Sequence, residues 1–521
     1  MTRTLAGPER NTLGRWTGVT PRGRTRRQVL YGLSTAAATA ALAGCLGDDS
    51  DDEPEDSPAN DTDDGSTNST DDGSDDGPDD GTSETVPESF EDPDALRDHS
   101  REYIELVATG EFEAAAAWFA PALSQQFSAG DLERVWGSVV GVQQAPDSYR
   151  SVSHFGTELG NQIFTAWATI DGDEFQFLIS YSPDGVVNFQ ITPIGEWTQP
   201  SYVDESAISE ESVALETPLD CELPGRITLP EGEGEVPGVV IVHGNGPEDR
   251  DGTVGPNRPY KELAWGLASM GVAVLRYDKR TFACEVDLAD ATIDDIVTDD
   301  ALTAVERLRS HDRVADDSVY VCGHSFGGLL APRIADRSDG VAGTIMLAPG
   351  PARSMGTLIV EQTKHILEQR GVPGTQREQV LSQVEAEAEK MRTLDIGDDE
   401  IVRFGGREYH ESLQTYDHES TAANLDVPQL LLQGGNDWQV TTDGALPVWR
   451  DALADNENAT ITVYDELNHL FQESEPPLTQ AEYVEPEKSV DEQVIEDIAA
   501  FVTDGAGETV ERVVRRAPRP Q

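Results

Sequence analysis

A serine flanked by glycines is the clearest candidate for chemistry in this sequence. Ser325 lies at the centre of the run Gly-His-Ser-Phe-Gly at 323–327. An apolar stretch at 318–322 predicts a strand before it, and a helical pattern follows at 327–336. A sharp turn from strand to helix projects a serine hydroxyl, and glycines two residues away on either side avoid a collision. This setting predicts that Ser325 is a nucleophile.

A nucleophilic serine needs a base, and the base needs an acid that orients it. Asp437 follows a buried strand pattern and His469 follows the next one, so both residues fall in loops. We expect His469 to accept and return the proton, and Asp437 to hold the imidazole. His243 and His324 are expected to shape a turn and to line the pocket. The competing acids in the sequence are Asp278, Asp417 and Asp465.

The negative charge that develops on an attacked carbonyl requires N–H donors. The helix after the serine presents the Phe326 N–H at its N-terminus. The second donor is expected in a loop after an earlier strand, and His-Gly-Asn-Gly-Pro at 243–247 occupies that place. We therefore predict the Asn245 N–H as the partner of Phe326. Arg250 and Asp251, further along this loop, are expected to brace it by ion pairs and not to contact substrate.

These candidate residues fall on alternating strands and helices that begin after Pro230. The predicted strands are apolar along their length, which is typical of a parallel sheet covered by helices on both faces. The predicted fold class is α/β, in a catalytic domain at 210–505.

Several separate motifs recur together in this part of the chain. They are His-Gly-Asn-Gly-Pro-Glu-Asp-Arg-Asp at 243–251, Gly-Pro-Asn-Arg-Pro-Tyr at 255–260, Leu-Arg-Tyr-Asp-Lys-Arg-Thr at 275–281 and Leu-Asn-His-Leu-Phe at 467–471. Together they closely resemble one carboxylesterase subfamily of the α/β-hydrolases, over roughly 215–505. The order serine, aspartate, histidine is also that of α/β-hydrolases. The resemblance implies that a small-molecule carboxylic ester with a short acyl chain is hydrolysed through an acyl-enzyme, without metal or organic cofactor.

The resemblance also suggests a role for two helical stretches that interrupt the alternation. This insertion, at about 352–424, resembles the lid of the fold, with its apolar face over Ser325. Two other functions stay open. Relatives of the prolyl-oligopeptidase type act on peptides or other acyl amides, and a hydrolase fold can also be an inactive surface binding protein.

A smaller unit precedes the catalytic half, at 90–200. Helical spacing gives way to strand alternation, with helices at 96–108, 112–119 and 131–139 and strands at 162–167, 175–179 and 186–191. Short turns between the strands predict an antiparallel meander, so the unit is classed as α+β. It resembles a small domain of unknown function found before the hydrolase in some relatives. Its expected role is structural support, with an interaction or a lid-shaping role as the alternatives.

The chain of 521 residues is strongly acidic, with 98 Asp+Glu against 37 Lys+Arg and a formal net charge of −61. Only five of the basic residues are lysines. Nucleic acid requires a basic face, so this balance excludes nucleic acid as a partner. An apolar share of 37% argues against a polytopic membrane protein. An acidic, Lys-poor composition resembles that of proteins from extreme halophiles, in which molar salt screens the repulsion between carboxylates.

The first residues run against this trend, with seven Arg and one acid at 1–45. Paired arginines at 26–27 before an Ala-rich apolar stretch resemble a twin-arginine export signal, and Leu-Ala-Gly-Cys at 42–45 resembles a lipobox. We therefore predict a signal at 1–45 and a lipid on Cys45 that anchors an exported protein to the cell membrane. The alternative is a retained anchor, but 29–44 supplies 16 residues where a bilayer needs about 20.

An acidic segment at 46–89 follows the signal. It holds 18 acids and no basic residue between 48 and 88, among Gly, Ser, Pro and Thr. Such a composition cannot bury enough apolar surface to fold, so we predict a disordered linker. Removing the signal and this linker still leaves a net charge of about −49 on the remainder. The tail at 506–521 is basic and has no assigned role.

Cysteine is sparse, with four in the chain. Cys45 belongs to the signal. Cys322 lies inside an apolar strand and is expected to be an inert core thiol. Cys221 and Cys284 either pair outside the cell or remain free, and the sequence alone does not decide between the two.

Overall fold

The hydrophobic patterns fold into two β-sheets with surrounding helices. A computed structural model describes residues 86–504 apart from 220, 352–354 and 487. The predicted signal at 1–45 with Cys45, the predicted linker up to residue 85 and the predicted tail at 506–521 lie outside the described residues. No helix within the described ranges has both the length and the apolarity of a membrane span.

The first sheet belongs to a small unit, defined here as α1–α4 with β1–β4. In chain order its elements are α1 (Pro93–Thr109), α2 (Phe112–Ala116), α3 (Pro121–Ser124), α4 (Ala129–Val139), β1 (Ser148–Glu158), β2 (Asn161–Ile170), β3 (Asp173–Ser182) and β4 (Gly185–Pro193). The strands pair antiparallel in the order β1-β2-β3-β4, and helix and strand side chains share one buried core. Gly160 and Gly172 adopt positive φ in the hairpin turns, as tight turns between twisted strands require.

The small unit contains one strand that the sequence pattern misses. The predicted strands correspond to β2, β3 and β4. β1 escapes because two register shifts interrupt its alternation, between Tyr149 and Ser151 and between His154 and Gly156. Such bulges bend a strand and redirect its side chains. β1 is an edge strand, and it contacts the catalytic half.

The second sheet and its helices make up the rest of the described chain. The strands are β5 (Ile208–Glu216), β6 (Glu222–Pro230), β7 (Val236–Val242), β8 (Ala273–Tyr277), β9 (Val314–His324), β10 (Val341–Leu347), β11 (Gln429–Gly434) and β12 (Ala459–Tyr464). The helices are α5 (Pro259–Ser269), α6 (Arg280–Ala283), α7 (Asp299–Arg309), α8 (Phe326–Arg337), α9 (Met355–Gln369), α10 (Gly374–Thr393), α11 (Arg407–Thr415), α12 (His418–Asn424), α13 (Ala445–Ala452) and α14 (Glu492–Asp504). A π-helical turn spans Asp294–Thr298, and 3-10 turns span Glu205–Ala207 and Gln480–Val484.

The strand order β12-β11-β10-β9-β7-β8-β6-β5 confirms the predicted α/β class. The strands from β7 to β12 are parallel, and helices pack on both faces of the sheet. The sequence pattern does not predict β5 and β6, which pair antiparallel at the edge beside β8. Edge strands can expose one face to water, so β5 carries polar residues where the central strands carry apolar ones.

The topology gathers four loops at one edge of the sheet. Because β7, β9, β11 and β12 are parallel, the loops that follow them all leave from the carboxyl ends of the strands. Val242 pairs with Gly323 at the ends of β7 and β9, and Gly434 pairs with Tyr464 at the ends of β11 and β12. The loops expected to hold the oxyanion donors, nucleophile, acid and base therefore begin side by side.

A disulfide between Cys221 and Cys284 decides a pairing that the sequence left open. Their Cα atoms lie 6.1 Å apart across a sequence separation of 63. The bond ties the start of β6 to the segment after α6. Cys322 is free and buried in β9, and burial raises the pKa of its thiol to about 12. Since the thiolate is the reactive form, Cys322 is the inert core thiol that was predicted.

Candidate active site

Ser325 stands at the turn between β9 and α8. Its φ of 55° and ψ of −112° lie in a region that residues with a side chain rarely adopt. Its N–H donates to the Leu347 carbonyl oxygen at 2.8 Å, which ties the turn to the end of β10. A strained serine between strand and helix is the geometry of a nucleophile elbow.

The glycines on either side of this turn are required by close packing. A Cβ on Gly323 would collide with the backbone of Gly327, and a Cβ on Gly327 would collide with the carbonyl oxygen of Val242. These contacts involve backbone, which cannot rotate away as a flexible side chain can. A larger residue at either position would therefore displace Ser325.

Asp437 and His469 form a buried hydrogen bond. His469 Nδ1 donates to Asp437 Oδ2 at 2.7 Å. Gln433 Nε2 donates to the same oxygen at 3.0 Å, and the N–H groups of Gln439 and Val440 donate to Oδ1 at 2.9 and 2.8 Å. A carboxylate accepts only, so the proton stays on Nδ1 of His469 and Nε2 is left as the basic nitrogen.

His324, the residue before Ser325, contacts His469. His324 Nε2 donates to the His469 carbonyl oxygen at 3.0 Å, and the two imidazole rings lie 4.7 Å apart. In the described part of the chain, the Ser325 hydroxyl makes no hydrogen bond to the His469 ring. Catalytic hydrogen bonds commonly tighten only when substrate binds, so this geometry is compatible with a serine–histidine pair.

The competing acids and bases have other surroundings. Asp278 pairs with an arginine of the loop after β7, Asp417 caps α12, and Asp465 is exposed. His243 and His324 are buried, and burial lowers their pKa values to about 3, which makes them poor bases near neutral pH. Within the described ranges, no group of three or more His, Cys, Asp or Glu is placed to hold a metal ion.

Two backbone N–H groups remain open beside Ser325. Phe326 is the first residue of α8, and Asn245 lies in the loop after β7. Neither N–H donates to an acceptor among the described residues. The loop is close to the serine, because an ideal Cβ on Gly244 would lie 3.5 Å from Ser325 Cβ. The dipole of α8 adds partial positive charge at this point.

Ion pairs brace the loop that carries Asn245. Arg250 pairs at 3.1 Å with the residue after β8, and Asp251 pairs at 2.9 Å with a buried arginine of β8. These contacts confirm the interpretation of both residues as bracing ions. Asp249 is also buried and pairs with Arg150 of β1 at 2.6 Å. The small unit therefore helps to hold the loop that is predicted to carry the Asn245 oxyanion donor.

Other residues of β1 also contact the catalytic half. Phe155 packs so closely on Gly246, beside Asn245, that a Cβ on the glycine would lie 2.6 Å from its ring. The Thr157 N–H donates at 2.8 Å to the Arg403 carbonyl oxygen, in the segment between α10 and α11. The small unit thus contacts both the loop after β7 and the insertion.

A series of buried polar groups, absent from the sequence predictions, links the loop after β7 to His469. Glu248 accepts from the Gly244 N–H and from the Tyr260 hydroxyl, both at 3.0 Å. The Tyr260 oxygen lies 3.0 Å from Nδ1 of His324, which reaches the His469 carbonyl. Burial raises the pKa of Glu248. In the sequence, the one sign of these polar groups is the acid Glu248, which stands in a loop of small residues after β7.

The predicted insertion packs over this edge as helices α9–α12. The Tyr409 ring of α11 lies 6.1 Å from the Phe326 ring, and His365 of α9 stacks on Trp438 at 4.9 Å. Trp438 follows Asp437, so the insertion covers both the nucleophile turn and the acid loop. A cavity of about 420 Å³ lies between α9, α10 and α11, and no predicted catalytic or oxyanion residue lines it.

The chain is similar to known hydrolases and esterases. Residues 239–476 match the family described as serine aminopeptidase, S33. The chain is 34% identical to Esterase EstD of Thermotoga maritima over 405 residues. This matched region covers 77% of this chain and 93% of that protein. Among solved structures, an esterase of Pyrococcus furiosus has a TM-score of 0.38 at 16% identity, over 61% of this chain and 97% of that one. The acylaminoacyl peptidase of Pyrococcus horikoshii has a TM-score of 0.38 at 15% identity, over 62% and 52%.

Proposed function

The chain belongs to the α/β-hydrolase family that includes Esterase EstD, and from this premise we propose that it is a serine carboxylesterase. The observation that carries the proposal is the buried hydrogen bond between Asp437 and His469 beside the strained Ser325. A carboxylate, an imidazole and a hydroxyl in this order form the relay that activates a serine. The open N–H groups of Asn245 and Phe326 support the proposal, because acyl transfer needs donors for its oxyanion.

The proposed reaction has two steps of the same kind. Ser325 Oγ attacks the ester carbonyl carbon while His469 Nε2 takes the hydroxyl proton, and the oxyanion accepts hydrogen bonds from Asn245 and Phe326. The intermediate collapses, and His469 returns the proton to the departing alkoxide, which leaves as an alcohol. Water then attacks the acyl-enzyme with His469 as base. The carboxylic acid leaves and Ser325 regains its proton, with Asp437 orienting the imidazole throughout.

The proposed substrate is a small carboxylic ester with a short acyl chain, and the proposed role of α9–α12 is that of a lid. The rings of Phe155 of β1 and Phe404 of the insertion lie 5.9 Å apart, and both residues line the same small pocket as Asn245. Such close walls favour small groups beside the oxyanion loop. A series of nitrophenyl esters of increasing acyl length, assayed in molar salt, should show kcat/KM falling from short to long chains. A rise toward long chains would exclude a short-chain preference.

A fluorophosphonate probe tests the nucleophile directly. The reagent phosphonylates an activated serine, so we expect the wild-type protein to be labelled and Ser325→Ala to be neither labelled nor active. Equal labelling of both proteins would refute the proposed mechanism. A wild-type protein that is neither labelled nor active would instead indicate a surface binding protein with an inactive hydrolase fold.

A second candidate function is hydrolysis of peptides or other acyl amides, which the family description serine aminopeptidase favours. The same relay serves both reactions, but an amine leaves only after His469 has protonated it. Nitrophenyl esters and aminoacyl nitroanilides, compared by kcat/KM on one preparation, separate the two. We expect the esters to be the better substrates by far.

We also propose that the enzyme is exported, anchored to the cell membrane by a lipid on Cys45 and active in high salt. The arginine pair at 26–27, the lipobox-like run at 42–45 and the acidic composition support this. The disulfide between Cys221 and Cys284 suits an oxidising compartment. Cys45→Ser should move the protein from the membrane fraction to the soluble fraction, and fractionation of cells that express this variant measures the change. Retention in the membrane would favour an uncleaved anchor.

A further inference from the structure

Lys279 is a buried ammonium that the proposed mechanism does not use. It lies directly after Tyr277 and Asp278 at the end of β8 and is 3% exposed. Within the described residues, no Asp or Glu forms an ion pair with it. Its Nζ donates one hydrogen bond, of 2.7 Å, to the Gly244 carbonyl oxygen. An ammonium buried without a paired carboxylate is costly, so its single acceptor points to a role.

The acceptor belongs to the peptide unit that carries a proposed oxyanion donor. The Gly244 carbonyl and the Asn245 N–H are the two ends of one planar, conjugated amide. A cation at the carbonyl oxygen draws electron density from the nitrogen, so the N–H becomes a stronger hydrogen-bond donor. The effect grows in a buried site, where the effective dielectric constant is low.

We propose that Lys279 is a positioning residue, which orients and polarises the Gly244–Asn245 peptide for the oxyanion. The inference rests on the proposed function, since it concerns the same reaction. Glu248 holds the N–H of Gly244 at 3.0 Å, while Lys279 holds its carbonyl at 2.7 Å. The residue before Asn245 is thus fixed at both of its polar groups. Donors fixed in advance cost no reorganisation when charge develops.

The groups that face Lys279 set its charge. Glu248 of the same loop and Asp300 of α7 act on it electrostatically, and Asp300 is itself paired with Arg280. His243 is also close and is neutral, its pKa lowered first by burial and then by Lys279. Burial lowers the pKa of Lys279 to about 8, against the raising effect of the two carboxylates. The ammonium is therefore charged below about pH 8 and loses its charge above it.

Two substitutions separate the donor from the charge. Lys279→Met removes both, and Lys279→Gln keeps an N–H donor without charge. We expect kcat on a nitrophenyl ester to fall about tenfold in Lys279→Met, less than the roughly hundredfold or more lost with an oxyanion donor. Lys279→Gln should fall between Lys279→Met and the wild type. KM should stay within about twofold, because the interaction strengthens only in the transition state.

A pH profile distinguishes polarisation from structural support. In the wild type, kcat should decline a few-fold as pH rises through about 8. Lys279→Gln has no charge to lose at this position, so its profile should lack that decline. A decline of the same size in both proteins would contradict the inference.

The outcomes distinguish this inference from the proposed function. Unchanged kcat in Lys279→Met, or a loss confined to KM, would overturn it while Ser325→Ala stayed inactive. If Lys279→Met does not fold, Lys279→Gln and Lys279→Arg decide, since Arg keeps the charge: equal kcat in the two overturns the inference. Turnover by Ser325→Ala would refute the proposed function itself.

Discussion

At the scale of single residues, hydrogen bonds fix the Asp437 carboxylate in one orientation. Besides His469 it receives Gln433 Nε2 and two backbone N–H groups, so four donors fix the position of its oxygens. A carboxylate held this firmly fixes the ring that it binds, and with it the position of Nε2. These contacts, and not closeness in the sequence, distinguish Asp437 from the competing Asp465. Asp465 lies only four residues before His469 but does not bind its ring in the structure.

Asp437→Asn should reduce kcat about ten-thousandfold, the size of loss expected when the orienting acid of a serine–histidine relay becomes an amide. The Asn side chain still accepts hydrogen bonds through one oxygen, but its amide no longer enforces the Nδ1-protonated form of His469. The measurement is kcat on a nitrophenyl ester. Asp465→Asn is the matched control, with the same chemical change at an exposed site, and should retain full activity. An equal loss of kcat in both variants would show that Asp437 has no special role in orienting His469.

At the scale of elements, β1 connects the small unit to the proposed catalytic site. It contacts the proposed oxyanion loop through Arg150 and the insertion through Thr157. Glu158 at the end of β1 and Glu387 of α10 both form ion pairs with Arg403, at 2.8 and 2.7 Å. All three side chains are largely buried. Removing Arg403 from this cluster would leave two buried carboxylates without a cation, so the contact between β1 and the insertion depends on this one arginine. Structural support by the small unit stays a prediction, and β1 is the strand through which it would act.

Gly156→Ala tests the contact between β1 and the insertion. Gly156 has φ of 129°, and a Cβ there would collide with the Arg403 carbonyl oxygen. We expect a loss of about 1–3 kcal/mol of unfolding free energy from overpacking, in addition to about 1–2 kcal/mol of backbone strain, and a lower kcat/KM as the insertion shifts. Urea unfolding in molar salt and ester hydrolysis measure the two effects.

Gly160→Ala is the matched control, because Gly160 also has positive φ, at 75°, but a Cβ there meets nothing within 4 Å. It should cost only the backbone strain of about 1–2 kcal/mol and leave kcat/KM unchanged. If Gly156→Ala behaves like Gly160→Ala in both measurements, the close approach of β1 to Arg403 has no functional weight.

Charge is a property of the whole molecule. The net charge of −61 includes a basic predicted signal and an acidic predicted linker, and about −49 remains for the other residues. Arg276 pairs with Glu210 and Asp251, and Arg280 pairs with the buried Asp300. Few other acidic side chains are buried among the described residues, so most of their excess charge lies at the surface. A surface of one sign repels itself unless salt screens it.

Salt should therefore stabilise the fold. Between 0.1 and 2 M KCl the Debye length falls from about 10 Å to below 3 Å, and we expect the unfolding temperature to rise by roughly 5–10 °C. Thermal unfolding followed by circular dichroism measures the shift. Glycine betaine at equal osmolality is the control, because a zwitterion does not screen charge. An equal rise in betaine, or no rise in KCl, would show that self-repulsion does not limit stability.

Much of the site could be predicted from the sequence because its positioning is local. Ser325 is held by the turn between the strand and helix on either side of it, and Asp437 and His469 follow strands whose apolar runs are visible in the sequence. The order of these loops along the chain then determines which strand ends they occupy. The structure brings Asp437 and His469 into contact and sets Ser325 beside them.

Other features depended on the tertiary structure. Bulges remove the alternation of β1, and the edge strands β5 and β6 lack the continuous apolar run of buried strands, so no local period marks them. The bond between Cys221 and Cys284 spans 63 residues, and Arg403 binds Glu158 across 245. A contact over such a separation depends on how whole elements pack, because no neighbour in the sequence restricts it. The hydrogen bond from Lys279 to the oxyanion peptide arises in the same way, when the ends of β7 and β8 are brought side by side.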